Sequence, residues 1–80
     1  SNPIVLVHLA NHFFFKKDYS KATSLAQSSL DHSADEMTTR ANALYMLGKI
    51  SHAQNQYDDA FNYYSESAKL DPNMVLSQLG

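Results

Sequence analysis

The sequence predicts an all-α protein built from one antiparallel helical hairpin used twice. Apolar and small residues recur at three- and four-residue spacings through four successive segments, which is the period of one helix face. The pattern also returns on itself. Leu6, Leu9, Ala10 and Phe13, then Tyr19, Ala22, Ala26 and Ser29, reappear 38 residues later as Leu44, Leu47, Gly48 and Ser51, then Tyr57, Ala60, Tyr64 and Ser67. Within each copy the break is a polar pair, Lys17-Asp18 or Asn55-Gln56, too short for anything but a tight hairpin.

The first helix is expected near 3–16. Asn2 can cap it and Pro3 suits its first position, where no N–H is needed. The second is expected near 19–31. The stretch DHSADEMTTR that follows is longer than a bare repeat requires. Ser33-x-x-Glu36 has the form of a capping box, so the extra residues are expected to lengthen the third helix, near 35–54, by about a turn. The fourth is expected near 57–70. After Asp71-Pro72-Asn73, the residues MVLSQLG begin a fifth helical pattern near 73–79.

Candidate core positions follow from the stripes: Leu6, Leu9, Ala10, Ala22, Leu25, Leu44, Leu47, Gly48, Ala60 and Ala68. Gly48 lies in mid-helix, where Gly costs roughly 1 kcal/mol against Ala, so it marks a close approach between helices, with Ala60 as the matching small residue. On that reading Gly48→Leu clashes and Gly48→Ala is mild or even stabilising. The copies also exchange volume: Phe13 and Ala26 stand where the second has Ser51 and Tyr64.

Eighty residues with 44% apolar content suit one small soluble unit with little room for a deep catalytic cleft. The net charge of -2 argues against general nucleic-acid binding. Charge is uneven, with Lys16, Lys17 and Lys21 against Asp18 in residues 1–30, and an acidic excess in residues 31–80. No cysteine is present, which excludes disulfides and thiolate metal sites. The apolar run Ile4 to Leu9 is interrupted by His8 and followed by Asn11 and His12, so neither a signal peptide nor a membrane span is expected.

Sites for chemistry are sparse. His8 and His12 have the four-residue spacing of paired metal ligands, but Leu9 stands where the HExxH pattern needs Glu, and two helix-surface histidines are the simpler reading. Asp58-Asp59 suit the first turn of a helix. There is no Gly-rich phosphate loop, and neither Ser28-Ser29 nor Tyr63-Tyr64 has a base at a telling spacing. No enzyme activity and no cofactor are expected.

Leu44, Leu47, Gly48, Tyr57, Ala60, Tyr64 and Pro72 fit one 34-residue unit that resembles a tetratricopeptide (TPR) repeat, and Leu6, Leu9, Ala10 and Ala22 repeat that framework. The resemblance implies two tandem repeats, 3–36 with its linker and 37–74, and a truncated third at 75–80, as a piece of a right-handed superhelix. In TPR proteins the first helix of each repeat lines a concave groove. Carried over, this places Ile4, Val7, Asn11, Phe14 and Phe15 from one repeat, and Asn42, Tyr45, Lys49, His52 and Ala53 from the next, along a largely apolar and aromatic partner-binding groove. TPR adaptors that hold chaperone tails use a Lys, Asn and Arg clamp; here Val7 and Tyr45 stand among the inner positions and only Asn11 and Lys49 suit that chemistry.

A more specific resemblance starts at Asn2. NPIVLVHLANHFFFKKDYSKA, continued by Tyr45, Leu47, His52, Gln54, Tyr57-Asp58, Ala60-Phe61 and Tyr63-Tyr64, is similar to the large TPR subunits of the polymerase-associated factor (Paf) complex. It departs at Gly48, Lys49, Ile50 and Ser51 and through Thr23 to Met37. This family implies a nuclear, non-enzymatic scaffold that holds protein subunits together and couples RNA polymerase II to chromatin modification indirectly. Direct nucleic-acid and membrane contacts are not implied. The alternative is a transient peptide-binding TPR adaptor such as a co-chaperone. Both ends of a two-repeat array are open, and Met74, Val75, Leu76 and Leu79 add apolar surface, so the fragment is expected to self-associate.

Overall fold

Asn2 and Pro3 start the first helix by the chemistry expected of them. The Asn2 side chain accepts a hydrogen bond from the Ile4 N–H at 2.9 Å, and Pro3 takes the first position without losing a donor. The computed structural model describes residues 2–33 and 36–71. Its elements, in order, are α1 (Pro3–Phe15), α2 (Tyr19–Asp31), α3 (Met37–Ala53) and α4 (Tyr57–Leu70). α1 packs antiparallel on α2, α3 on α4, and α3 also rests against α2 and α1. The expected fifth helix, Pro72 and the apolar residues 74–79 lie outside the described residues.

Both hairpins turn by the same device. Lys17 and Asn55 adopt left-handed backbone with φ of 65° and 64°. In the first turn Lys17 N–H donates to Phe14 O and Asp18 N–H to Phe13 O, at 3.0 and 2.9 Å. In the second, Asn55 N–H donates to His52 O and Gln56 N–H to Ser51 O, at 3.0 and 2.8 Å. The last carbonyls of α1 and α3 are thereby satisfied. Asp18 then caps α2 through Lys21 N–H at 3.3 Å. Gln56 makes no such cap, and α4 instead carries Asp58 and Asp59 in its first turn, where the helix dipole favours negative charge.

A second correspondence ties each hairpin shut. The Ser29 hydroxyl donates to Pro3 O at 2.7 Å, and the Ser67 hydroxyl donates to Ala41 O at 2.7 Å. Both serines are fully buried. In each copy the last turn of the second helix is thus fastened to the first helix, at its start in α1 and about one turn in from its start in α3, which explains a polar residue on an otherwise apolar stripe.

The segment between hairpins differs from the expected capping box. Ser33 is buried and its hydroxyl donates back to Leu30 O at 3.3 Å, and because α3 starts at Met37 it is Glu36, not Ser33, that holds the N-cap position. Glu36 precedes α3 and accepts instead from the Thr39 hydroxyl at 3.3 Å. The extra turn itself is present: α3 begins at Met37, whereas the phase of α1 would start it at Ala41. Arg40, on that turn, donates from Nη1 to Leu30 O at 3.2 Å.

The core gathers Ala10, Ala22, Ala26, Met46, Leu47 and Ile50, with Phe13, Phe14, Tyr19, Leu25, Leu30 and Tyr63 around it. Four expectations are corrected. Leu9 is 41% exposed, although its counterpart Leu47 is 2% exposed, because α3 has helices on both sides and α1 has them on one. Leu25 and Ala68 are only half-buried. Finally, the close neighbour of Gly48 is Tyr64, not Ala60. A Cβ at Gly48 would stand 2.6 and 2.7 Å from two ring carbons of Tyr64. In the first hairpin Ala10 and Ala26 hold these two positions, so the larger ring is matched by the smaller residue facing it.

Candidate interaction groove

The packing of α1 on α3 leaves a cleft of about 270 Å³ between them. Val7, His8 and Asn11 line it from α1; Asn42, Tyr45, Met46 and Lys49 line it from α3. Their three- and four-residue spacings put each set on one face of its helix. Val7, Asn11, Tyr45 and Lys49 are thus brought together at one place. His8 and Met46 are additional walls that the groove assignment left out. They sit at the same helical spacings from Asn11 and Asn42, which is the signal that could have found them.

The remaining groove candidates spread away from the cleft. The Lys49 ammonium lies 5.0 Å from the Phe14 ring centroid and 5.7 Å from those of Phe15 and Tyr45, within cation–π range of all three. Phe14 is half-buried, while Phe15 is 72% exposed. His52 lies on neither wall of the cleft: it is exposed and meets Tyr57 edge to face at 5.4 Å, and the Tyr57 hydroxyl donates to Asn55 Oδ1 at 2.8 Å. Ile4 and Ala53 are exposed. With His8, Asn11, Asn42 and Lys49 on its walls, the cleft is mixed in polarity rather than largely apolar.

Two phenols close the inner side of α3. Tyr45 and Tyr64 stack tilted at 5.4 Å. Burial raises the Tyr45 phenol above its ordinary value; burial and then the neighbouring Tyr45 raise that of Tyr64. Both stay neutral in the physiological range and serve as packing surface. A second cleft, of about 210 Å³, opens among Arg40, Leu44, Glu66, Lys69 and Leu70. Its Arg40 is already engaged with the end of α2. His8 and His12 are both exposed, and among the described residues no three His, Cys, Asp or Glu side chains converge as a metal site would require.

Comparison with known proteins matches residues 41–74 to the family described as Tetratricopeptide repeat. The matched stretch holds α3, its tight turn and α4, and the same turn and the same serine tie recur in α1 and α2. Residues 41–74 are thus a tetratricopeptide repeat, and α1 and α2 follow the same plan. As a TPR segment the chain is a protein–protein interaction scaffold, and its cleft lies between the first helices of successive hairpins. The chain is also 42% identical over 66 residues to "RNA polymerase-associated protein CTR9" of Caenorhabditis elegans. The similarity covers 82% of this chain and 6% of that relative, so the chain spans a small part of its length. Among the described residues no helix is long and apolar enough to cross a membrane.

Proposed function

We propose that this TPR segment is part of a nuclear scaffold of the Paf-complex kind, and that its α1–α3 groove seats a segment of another protein subunit. Such a scaffold would support RNA polymerase II elongation and chromatin modification indirectly, through the subunits it holds, with no chemistry and no direct nucleic-acid contact of its own. The observation that carries this reading is the reach of the similarity. Identity of 42% over 66 residues extends beyond the single matched repeat and exceeds what repeat framework positions supply.

The groove argues against the chaperone-tail adaptor. Val7 and Tyr45 occupy inner positions, leaving Asn11, Asn42 and Lys49 as its polar groups apart from His8. A lasting partner seated by burial suits this surface better than capture of a terminal carboxylate.

The test is quantitative affinity purification of the parent protein from nuclei, with Val7→Asp and Tyr45→Asp introduced together. The expected result is loss of one defined subunit while the other RNA polymerase-associated subunits remain. Recovery of chaperones in place of such subunits by the unaltered protein would refute the proposal in favour of the adaptor.

A further inference from the structure

The internal repeat supplies a control for exposure. Val5 and Leu9 are exposed, but Ala43 and Leu47, their counterparts with a hairpin in front of them, are buried. Their exposure follows from the lack of a hairpin against that side of α1 among the described residues. Phe15 behaves differently. It is 72% exposed, and its counterpart Ala53 is exposed too although α1 and α2 precede α3. A preceding hairpin docked in the same way therefore leaves Phe15 open, beside Phe14 at a ring separation of 5.7 Å.

Lys49 stands against this aromatic wall and has unused capacity. Its ammonium faces the rings of Phe14, Phe15 and Tyr45, and no carboxylate among the described residues pairs with it. Asn11 and Asn42 line the adjoining cleft with side-chain amides that make no hydrogen bond to the described protein. Each amide offers both a donor and an acceptor, the combination that an extended backbone presents in return. Among the described residues no acceptor takes a hydrogen bond from the ammonium, which leaves N–H donors for an incoming one. A carboxylate there forms a charge-assisted hydrogen bond, the stronger kind.

We propose that the Phe14, Phe15, Tyr45 and Lys49 cluster selects an extended partner segment in which an acidic side chain adjoins an aliphatic or aromatic one. The carboxylate meets Lys49, the apolar neighbour covers Phe15, and Asn11 and Asn42 hold the backbone. The proposal rests on the reading of the α1–α3 groove as a partner site and adds to it the chemistry of the occupant.

The test is selection from random peptides of about eight residues, acetylated and amidated so that no terminal carboxylate is present, against the whole chain. Affinities of the selected peptides are then measured by fluorescence anisotropy. The expected result is enrichment of Asp or Glu beside Leu, Ile or Phe. Affinity should fall roughly tenfold or more with Lys49→Gln, the scale of one lost charged hydrogen bond, and be little changed by Lys69→Gln, outside the groove. Phe15→Ser should weaken the same peptides, with circular dichroism confirming that each variant is folded.

Enrichment of apolar peptides lacking an acid, bound equally by Lys49→Gln, overturns the acidic-segment proposal and leaves the groove reading standing. Acidic peptides weakened equally by Lys49→Gln and Lys69→Gln reflect general charge and also overturn it. Selection of no peptide at all overturns both the proposal and the groove reading beneath it.

Discussion

Substituting Gly48 by Ala tests the central helix contact with one methyl group. On propensity alone the change stabilises a helix by roughly 1 kcal/mol. The structure opposes it. The new Cβ would lie 2.6 and 2.7 Å from Tyr64 ring carbons, where carbon atoms normally rest about 3.5–4.0 Å apart, so the ring has to retreat by roughly 1 Å. Tyr45 stacks on that ring at 5.4 Å and resists the movement. Overpacking of this kind costs about 1–3 kcal/mol, which leaves a net destabilisation of about 0–2 kcal/mol. Removing the ring reverses the sign. In a Tyr64→Ala background, which recreates the small pair of the first hairpin, Gly48→Ala should stabilise by roughly 1 kcal/mol. The assay is a double-mutant cycle by urea denaturation, with Tyr64→Leu as a second background should Tyr64→Ala be too unstable to measure. The expected coupling is about 1–3 kcal/mol. Equal stabilisation by Gly48→Ala with and without the Tyr64 ring would refute the contact.

Other outcomes follow from the paired hairpins. Lys17→Gly should raise the melting temperature and Asn55→Lys should lower it, because a left-handed residue with a Cβ costs about 1–2 kcal/mol and Asn tolerates it best. Ser67→Ala should destabilise by about 1 kcal/mol, net of a small gain in propensity, because it breaks the buried hydrogen bond to Ala41 O; Ser65→Ala, on the same helix, should not. Leu47→Ala should cost about 2–5 kcal/mol while Leu9→Ala costs much less, a contrast readable in thermal melts. Tyr45 and Tyr64 hold their protons above the ordinary phenol value of 10.0, so their contribution is complete below that pH and is lost as pH rises through their folded values. Ultraviolet titration of each Tyr→Phe variant against the parent should place both phenols on the high side.

Much of this architecture is written in the repeat. The phase shared by Leu6 and Leu44, or by Ala22 and Ala60, locates the four helices because burial on a helix obeys a fixed period. Neighbours across the repeat boundary are less legible. Leu9 and Leu47 occupy the same phase, yet only Leu47 has a helix on its far side. The resemblance to TPR repeats set Val7, Asn11, Tyr45 and Lys49 on inner faces, whereas the separation of His52 from the cleft depends on where α3 passes the end of α1. The partner of Gly48 was hidden for another reason: small-to-small matching pointed to Ala60, but space left by a missing side chain is as readily filled by a large ring.

The added turn at the front of α3 bears on how arrays of this kind change length. Four residues separate the two copies from a uniform period, and they enter between hairpins as helix rather than as loose chain. The bond from Arg40 to Leu30 O anchors that addition to the helix before it. The tight turns and the serine ties lie outside the insertion, so each hairpin keeps its own internal alignment. Length variation is thus absorbed at the joint between modules, and successive modules can diverge in spacing while each continues to present its inner helix to a partner.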